Sequence, residues 1–160
     1  HGPGHTHRQD RPDTVSGEPR MVDAELVLQE TPSWTWSLFP NQSYLGRVQL
    51  TLRRRCDGSL ATLTNDEWVD LRNGIRAIEG ILGGLFQPDR FNYEQLGNVW
   101  TQVHVHAIPR YSNARHWCGI TVLDQRWGDH PLPEPVSNLG RAETLQLAEQ
   151  IRKSIGLAGL

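Results

Sequence analysis

From Gln102 to Ala107 the chain reads QVHVHA, so Gln102, His104 and His106 alternate with Val103, Val105 and Ala107. Successive side chains on a β-strand face opposite sides. The glutamine and the two histidines therefore form one row, about 6.5–7 Å apart, and the small apolar residues enter the core. Four kinds of chemistry suit such a row. The imidazoles can decorate a solvated sheet face. They can supply two ligands to zinc or iron, but no Asp or Glu follows His106 before Asp124, so His116 or His130 would have to complete the set through the fold. A neutral imidazole, with an ordinary pKa near 6.5, can attack phosphorus, while the second histidine and the glutamine hold phosphate oxygens or handle a leaving-group proton. The same row can also bind phosphate without turnover.

The 160 residues suffice for one domain with its own core. Sixteen basic residues, fifteen of them Arg, stand against eighteen acidic ones, which gives no reason to expect nucleic acid or a membrane surface as partner. No apolar run reaches the roughly twenty residues that span a bilayer. Two cysteines, Cys56 and Cys118, make no disulfide framework and suit reduced thiols in a cytoplasmic protein. Residues 1–20 are nearly devoid of apolar side chains and carry three of the seven histidines. They read as a disordered leader or cloning remnant, although a metal-binding tail shares that composition, and Met21 stands where the leader stops. The folded domain is expected over 21–160.

Several elements must position the histidine row. AELVLQE (24–30) reads as a short strand, and TPSWTWSLFPNQSY follows as an aromatic-rich segment broken by Pro32 and Pro40. GRVQLTLRR (46–54) alternates cleanly, with Val48, Leu50 and Leu52 on a buried face and Arg47, Gln49, Thr51 and Arg53 on the other. Thr64 and Glu67 form a capping-box signature for a long helix. Its apolar stripe runs through Trp68, Leu71, Ile75, Ile78, Leu82 and Leu85, with Gly83–Gly84 at its end. Strands are expected over 89–96 and 102–110, then an irregular segment, then a helix over 141–155. That order predicts an α+β fold, an antiparallel sheet flanked by one long central helix and a C-terminal helix.

Asn92-Tyr93, Gly97-Asn98 and the run from Gln102 through His104 and His106 to Pro109-Arg110 together resemble the signature of the histidine triad superfamily of nucleotide hydrolases and transferases. YLGRVQLTLRRR and LTNDEW with its helix extend the resemblance over about residues 24 to 111. The resemblance implies a small antiparallel sheet flanked by helices, commonly dimerised, that binds a nucleoside phosphate over the row. His104, as the middle residue, would attack the α-phosphorus and form a nucleotidyl-histidine. His106 would contact phosphate and share in proton handling. Gln102 stands where the first histidine is usual, as in one bacterial-type branch. Its amide can hold a phosphate oxygen but cannot carry a proton.

The resemblance also makes Gly97, Asn98, Arg47 and Arg110 candidates for phosphate contact and Asn92 a candidate for the ribose. Each has a plainer alternative. Arg47 can be a solvated charge, Gly97-Asn98 a turn, Arg110 a strand cap in solvent, and Asn92 a loop residue. Arg47 and Arg55 stand where the family often has histidine, and Val99 where it often has a hydroxyl. Trp34, Trp36 and Trp100 can line a base pocket or serve as core and loop anchors. No cofactor or metal is implied. The expected ligand is a nucleotide or dinucleotide, and a non-catalytic nucleotide-binding protein is the alternative.

Overall fold

The computed structural model describes residues 22–160; the leader and Met21 lie outside the described residues. Five strands form one antiparallel sheet: β1 (Val27–Glu30), β2 (Trp34–Leu38), β3 (Val48–Leu52), β4 (Arg90–Glu94) and β5 (His104–Arg110). Their spatial order is β1-β2-β3-β5-β4. Helices α1 (Asn65–Phe86) and α2 (Arg141–Leu157) add further core residues, and β6 (Arg115–Trp117) pairs with β7 (Ile120–Val122) as a separate hairpin. This is the expected α+β architecture.

The sheet divides its side chains by parity. Trp36, Leu50 and Val105 lie in register across β2, β3 and β5 and enter the core, together with Leu82 of α1 and Ile151 of α2. A Cβ at Gly74 would sit 3.0 Å from Trp36 Nε1 and 3.2 Å from Leu50 Cδ2, so the missing side chain lets α1 lie close on the sheet. Trp34 Nε1 adds a 2.9 Å hydrogen bond to the Glu67 carbonyl at the start of α1.

Local chemistry explains where the elements depart from the sequence pattern. Asp23 caps a 3-10 turn over Ala24–Leu26, so the first strand begins only at Val27. Pro32 and Pro40 flank β2 instead of interrupting it, and a five-residue strand fits between them. The capping box of α1 forms as expected, but the helix runs through Gly83–Gly84. Phe86 is buried against Trp117, and Gln87 then turns left-handed at φ 50°. Trp68 is 42% exposed; the buried stripe passes instead through Leu71, Gly74, Ile78 and Leu82. In the segment read as irregular, Cys118 and Gly119 at φ 49° and 75° make the two-residue turn of the β6–β7 hairpin. Both cysteines are free. Among the described residues, no helix is long and apolar enough to cross a membrane.

Candidate active site

The polar parity of the sheet carries the candidate site. Gln49 of β3 lies opposite His106 of β5, Thr51 opposite His104, and Glu94 of β4 opposite His106 on the other side. This face was expected to meet solvent at β3, but Gln49 and Thr51 are buried, with Gln49 Nε2 donating to Thr51 Oγ1 at 3.1 Å. Val103, Val105 and Ala107 point into the core as the alternation requires.

His104 is 7% exposed. Its Nδ1 lies 2.6 Å from the backbone oxygen of Gln102. A carbonyl can only accept, so Nδ1 carries the proton and Nε2 keeps its lone pair. Trp100 lies against the ring with centroids 4.9 Å apart, and the ring of His106 meets it edge-on at 5.2 Å.

His106 has the opposite tautomer for a comparable reason. Arg47 Nη2 approaches its Nδ1 at 3.3 Å, and a guanidinium can only donate. Nδ1 therefore accepts and Nε2 bears the hydrogen. Burial, then the positive Arg47, then the neighbouring His104 push the His106 pKa down to about 3, so the ring is neutral at ordinary pH.

Arg47 enters the site because Gly46 turns the chain at φ 88°, where a Cβ would also strike Leu82 Cδ2 at 2.7 Å. The guanidinium is buried, stacks 3.9 Å over Phe39 and pairs through Nη1 with Glu134. Burial lowers its pKa, and Glu134 opposes that shift. Its reading as a solvated charge is thereby replaced by a buried ion pair.

Two adjoining cavities open on this face. The one holding His104 measures about 180 Å³, and Glu94, Gly97, Asn98 and Trp100 help line it. Its neighbour, about 420 Å³, lies against Phe39, Gln49, Pro133 and Glu134. Arg47, His106 and Leu132 border both. Two buried donors of the first cavity's lining residues, Arg47 Nε and Trp100 Nε1, have no acceptor among the described residues. A strap of chain over 130–135 roofs the site. Pro131 accepts from Tyr44 Oη, Glu134 holds Arg47, Pro135 accepts from Asn41 Nδ2, and His130 Nε2 lies 2.9 Å from Glu94 Oε1.

Several candidates come together in the cavity: His104, His106, Arg47, Gly97 and Asn98. Val99 is there too, 90% exposed. Gln102 is not. Its amide accepts from Cys56 N at 2.9 Å and donates to the Leu52 and Arg54 carbonyls at 2.8 and 2.7 Å. Every hydrogen-bonding direction is used except one acceptor lone pair, so the side chain ties the 52–56 turn to β5 instead of facing the cavity.

Arg110 and Asn92 also lie apart from the cavity. Arg110 is 3% exposed, neither solvated nor free. It donates to both Asp124 oxygens, to Asn92 Oδ1 and to the carbonyls of Arg126 and Asp129, which uses all five N–H groups. Trp34 and Trp36 are core residues, and Trp100 alone of the three lines the cavity. His116 bonds Thr121, and no three His, Cys, Asp or Glu side chains among the described residues gather as a metal site.

Sequence reasoning missed Phe39, Glu94, Leu132 and Glu134. Phe39 and Glu94 lay in readable segments, but only strand register shows that Glu94 faces His106. Leu132 and Glu134 reach the site through the path of a proline-rich segment that has no periodicity to read.

No protein-family model matches the sequence, and no curated protein matches it. Solved structures do. A histidine triad protein from Sinorhizobium meliloti superposes with a TM-score of 0.66 at 17% identity, covering 80% of this chain and 87% of that one. One from Bradyrhizobium japonicum gives 0.62 at 20% identity, covering 81% and 89%. The diadenosine triphosphate hydrolase of Plasmodium falciparum gives 0.61 at 17% identity, covering 85% and 80%. What is common at such identities is the path of the backbone: the chain has the fold of the histidine triad proteins.

Proposed function

We propose that the protein hydrolyses or transfers the nucleotidyl group of a nucleotide conjugate, attacking the α-phosphorus with His104. The observation that carries this reading is the 2.6 Å contact from His104 Nδ1 to the Gln102 carbonyl. It holds the imidazole in the tautomer whose Nε2 is nucleophilic and stabilises the cation formed when that nitrogen bonds to phosphorus. His106 Nε2–H, Arg47 Nε–H and Trp100 Nε1–H are donors for the oxygens of a bound nucleotide, and buried donors without acceptors suit such a ligand. The chain's likeness to a diadenosine triphosphate hydrolase agrees with this class of substrate.

The test is incubation with adenosine 5′-phosphoramidate and with diadenosine polyphosphates, followed by rapid quenching at alkaline pH and intact-mass measurement. A labile adenylyl adduct on the wild type, absent from His104→Ala, is the expected result. Undiminished turnover in His104→Ala would remove His104 as nucleophile.

A second reading, nucleotide binding without turnover, is favoured by the Arg47–Glu134 pair, which places a carboxylate on the cation nearest His106. Saturable nucleotide binding with no turnover across that panel would select it.

A further inference from the structure

We propose that Glu94 is the general base that activates water against the nucleotidyl-histidine; this rests on the reading of His104 as nucleophile. Release of the nucleotide needs a group that can take a proton from water beside the phosphorus. Few side chains here can. His106 has its Nδ1 lone pair directed at Arg47 and is a weak base at a pKa of about 3. Gln102 is turned away, and an amide accepts no proton. Glu134 is paired with Arg47 and borders the neighbouring cavity, not the one holding His104.

Glu94 remains. Among the described residues it is the one carboxylate lining the cavity that contains His104, and it sits opposite His106 in strand register. Its Oε1 lies 2.9 Å from His130 Nε2, and His130 Nδ1 accepts from the Leu132 amide at 3.0 Å. The shorter of the two Nδ1 contacts, from the Leu132 amide, favours the hydrogen on Nε2, which sits beside the carboxylate. Oε2 takes no hydrogen bond from the described residues. With a side chain 13% exposed, Glu94 can pass a captured proton to solvent.

The step balances. Water gives a proton to Glu94 Oε2 as its oxygen bonds to phosphorus. The phosphorus–Nε2 bond breaks, and its electron pair returns to the imidazole. The products are a nucleoside monophosphate, neutral His104 still protonated on Nδ1, and a protonated Glu94 that then loses its proton.

Glu94→Gln is the discriminating variant, because it keeps the size of the side chain and an oxygen beside His130 while the base is gone. Rapid-quench kinetics with an adenosine phosphoramidate bearing a fluorescent amine should show an undiminished stoichiometric burst of amine. Steady turnover should fall by about 10²–10⁴-fold, with the adenylyl adduct accumulating by mass. Hydroxylamine, which attacks without prior deprotonation, should restore turnover, and Glu94→Asp should clear the adduct at an intermediate rate. Adduct clearance at the wild-type rate in Glu94→Gln, or loss of the burst together with turnover, overturns the role of Glu94. Absence of any adduct in the wild type overturns the nucleophile reading and this one with it.

Discussion

The guanidinium of Arg47 and the imidazole of His106, 59 residues apart in the chain, meet at 3.3 Å across β3 and β5. That contact assigns the His106 tautomer and contributes to its low proton affinity. Burial contributes more. Arg47→Met should therefore raise the His106 pKa only part of the way toward 6.5, as read by imidazole nitrogen shifts in an NMR titration. A full return to 6.5 would mean that charge, not burial, dominates.

The same shift sets a pH dependence of stability. A histidine with a folded value near 3 and an unfolded value near 6.5 is protonated first in the unfolded chain. Stability is therefore full above 6.5 and is lost as pH falls toward 3. Glu67, held down from 4.5 to about 2 chiefly by Arg54, adds a loss only below 4.5. In urea titrations, His106→Gln should flatten the slope between pH 6.5 and 4.5, and Glu67→Gln should flatten it only below 4.5.

Gln102 gives a prediction about catalysis and folding together. Gln102→Glu turns a donor facing the Leu52 and Arg54 carbonyls into an acceptor. It should cost about 1–3 kcal/mol in chemical denaturation. Gln102→His should likewise be destabilised and gain no turnover, since the side chain at 102 does not face the cavity. A Gln102→His variant with higher turnover than the wild type would contradict that geometry.

Arg110→Ala strips a buried carboxylate, Asp124, of its cation and takes the donor from the Asp129 carbonyl and from Asn92 Oδ1. The expected loss is about 3–5 kcal/mol. Hydrogen exchange should rise over 124–130, while nucleotide affinity, compared under conditions where the variant is folded, should change little. A large affinity loss in a stable variant would return Arg110 to the ligand.

The sheet and its helices were legible wherever side chains obey a period. α1 declared itself by its capping box and stripe, and β5 by strict alternation. β2 was hidden because prolines at both ends looked like breaks within. Of the cavity, the two histidines of β5 were legible and the surroundings much less so. Polar parity marks His104, His106 and Gln102 alike, yet the chain before β5 turns the Gln102 side chain into the protein while its carbonyl orients His104. No local pattern distinguishes an arginine that lines a cavity from one that clamps a loop. Arg47 and Arg110 both sit at strand ends, and only the partners supplied by 124–134 separate them.

Leu132 borders both cavities, carried on a strap that comes well after β5 in the chain. A change at that one position would thus reshape both cavities while the His104 imidazole, held from β5, stays put. Trimming that leucine would merge two small chambers into one broad one, and a bulkier residue there would shrink both at once.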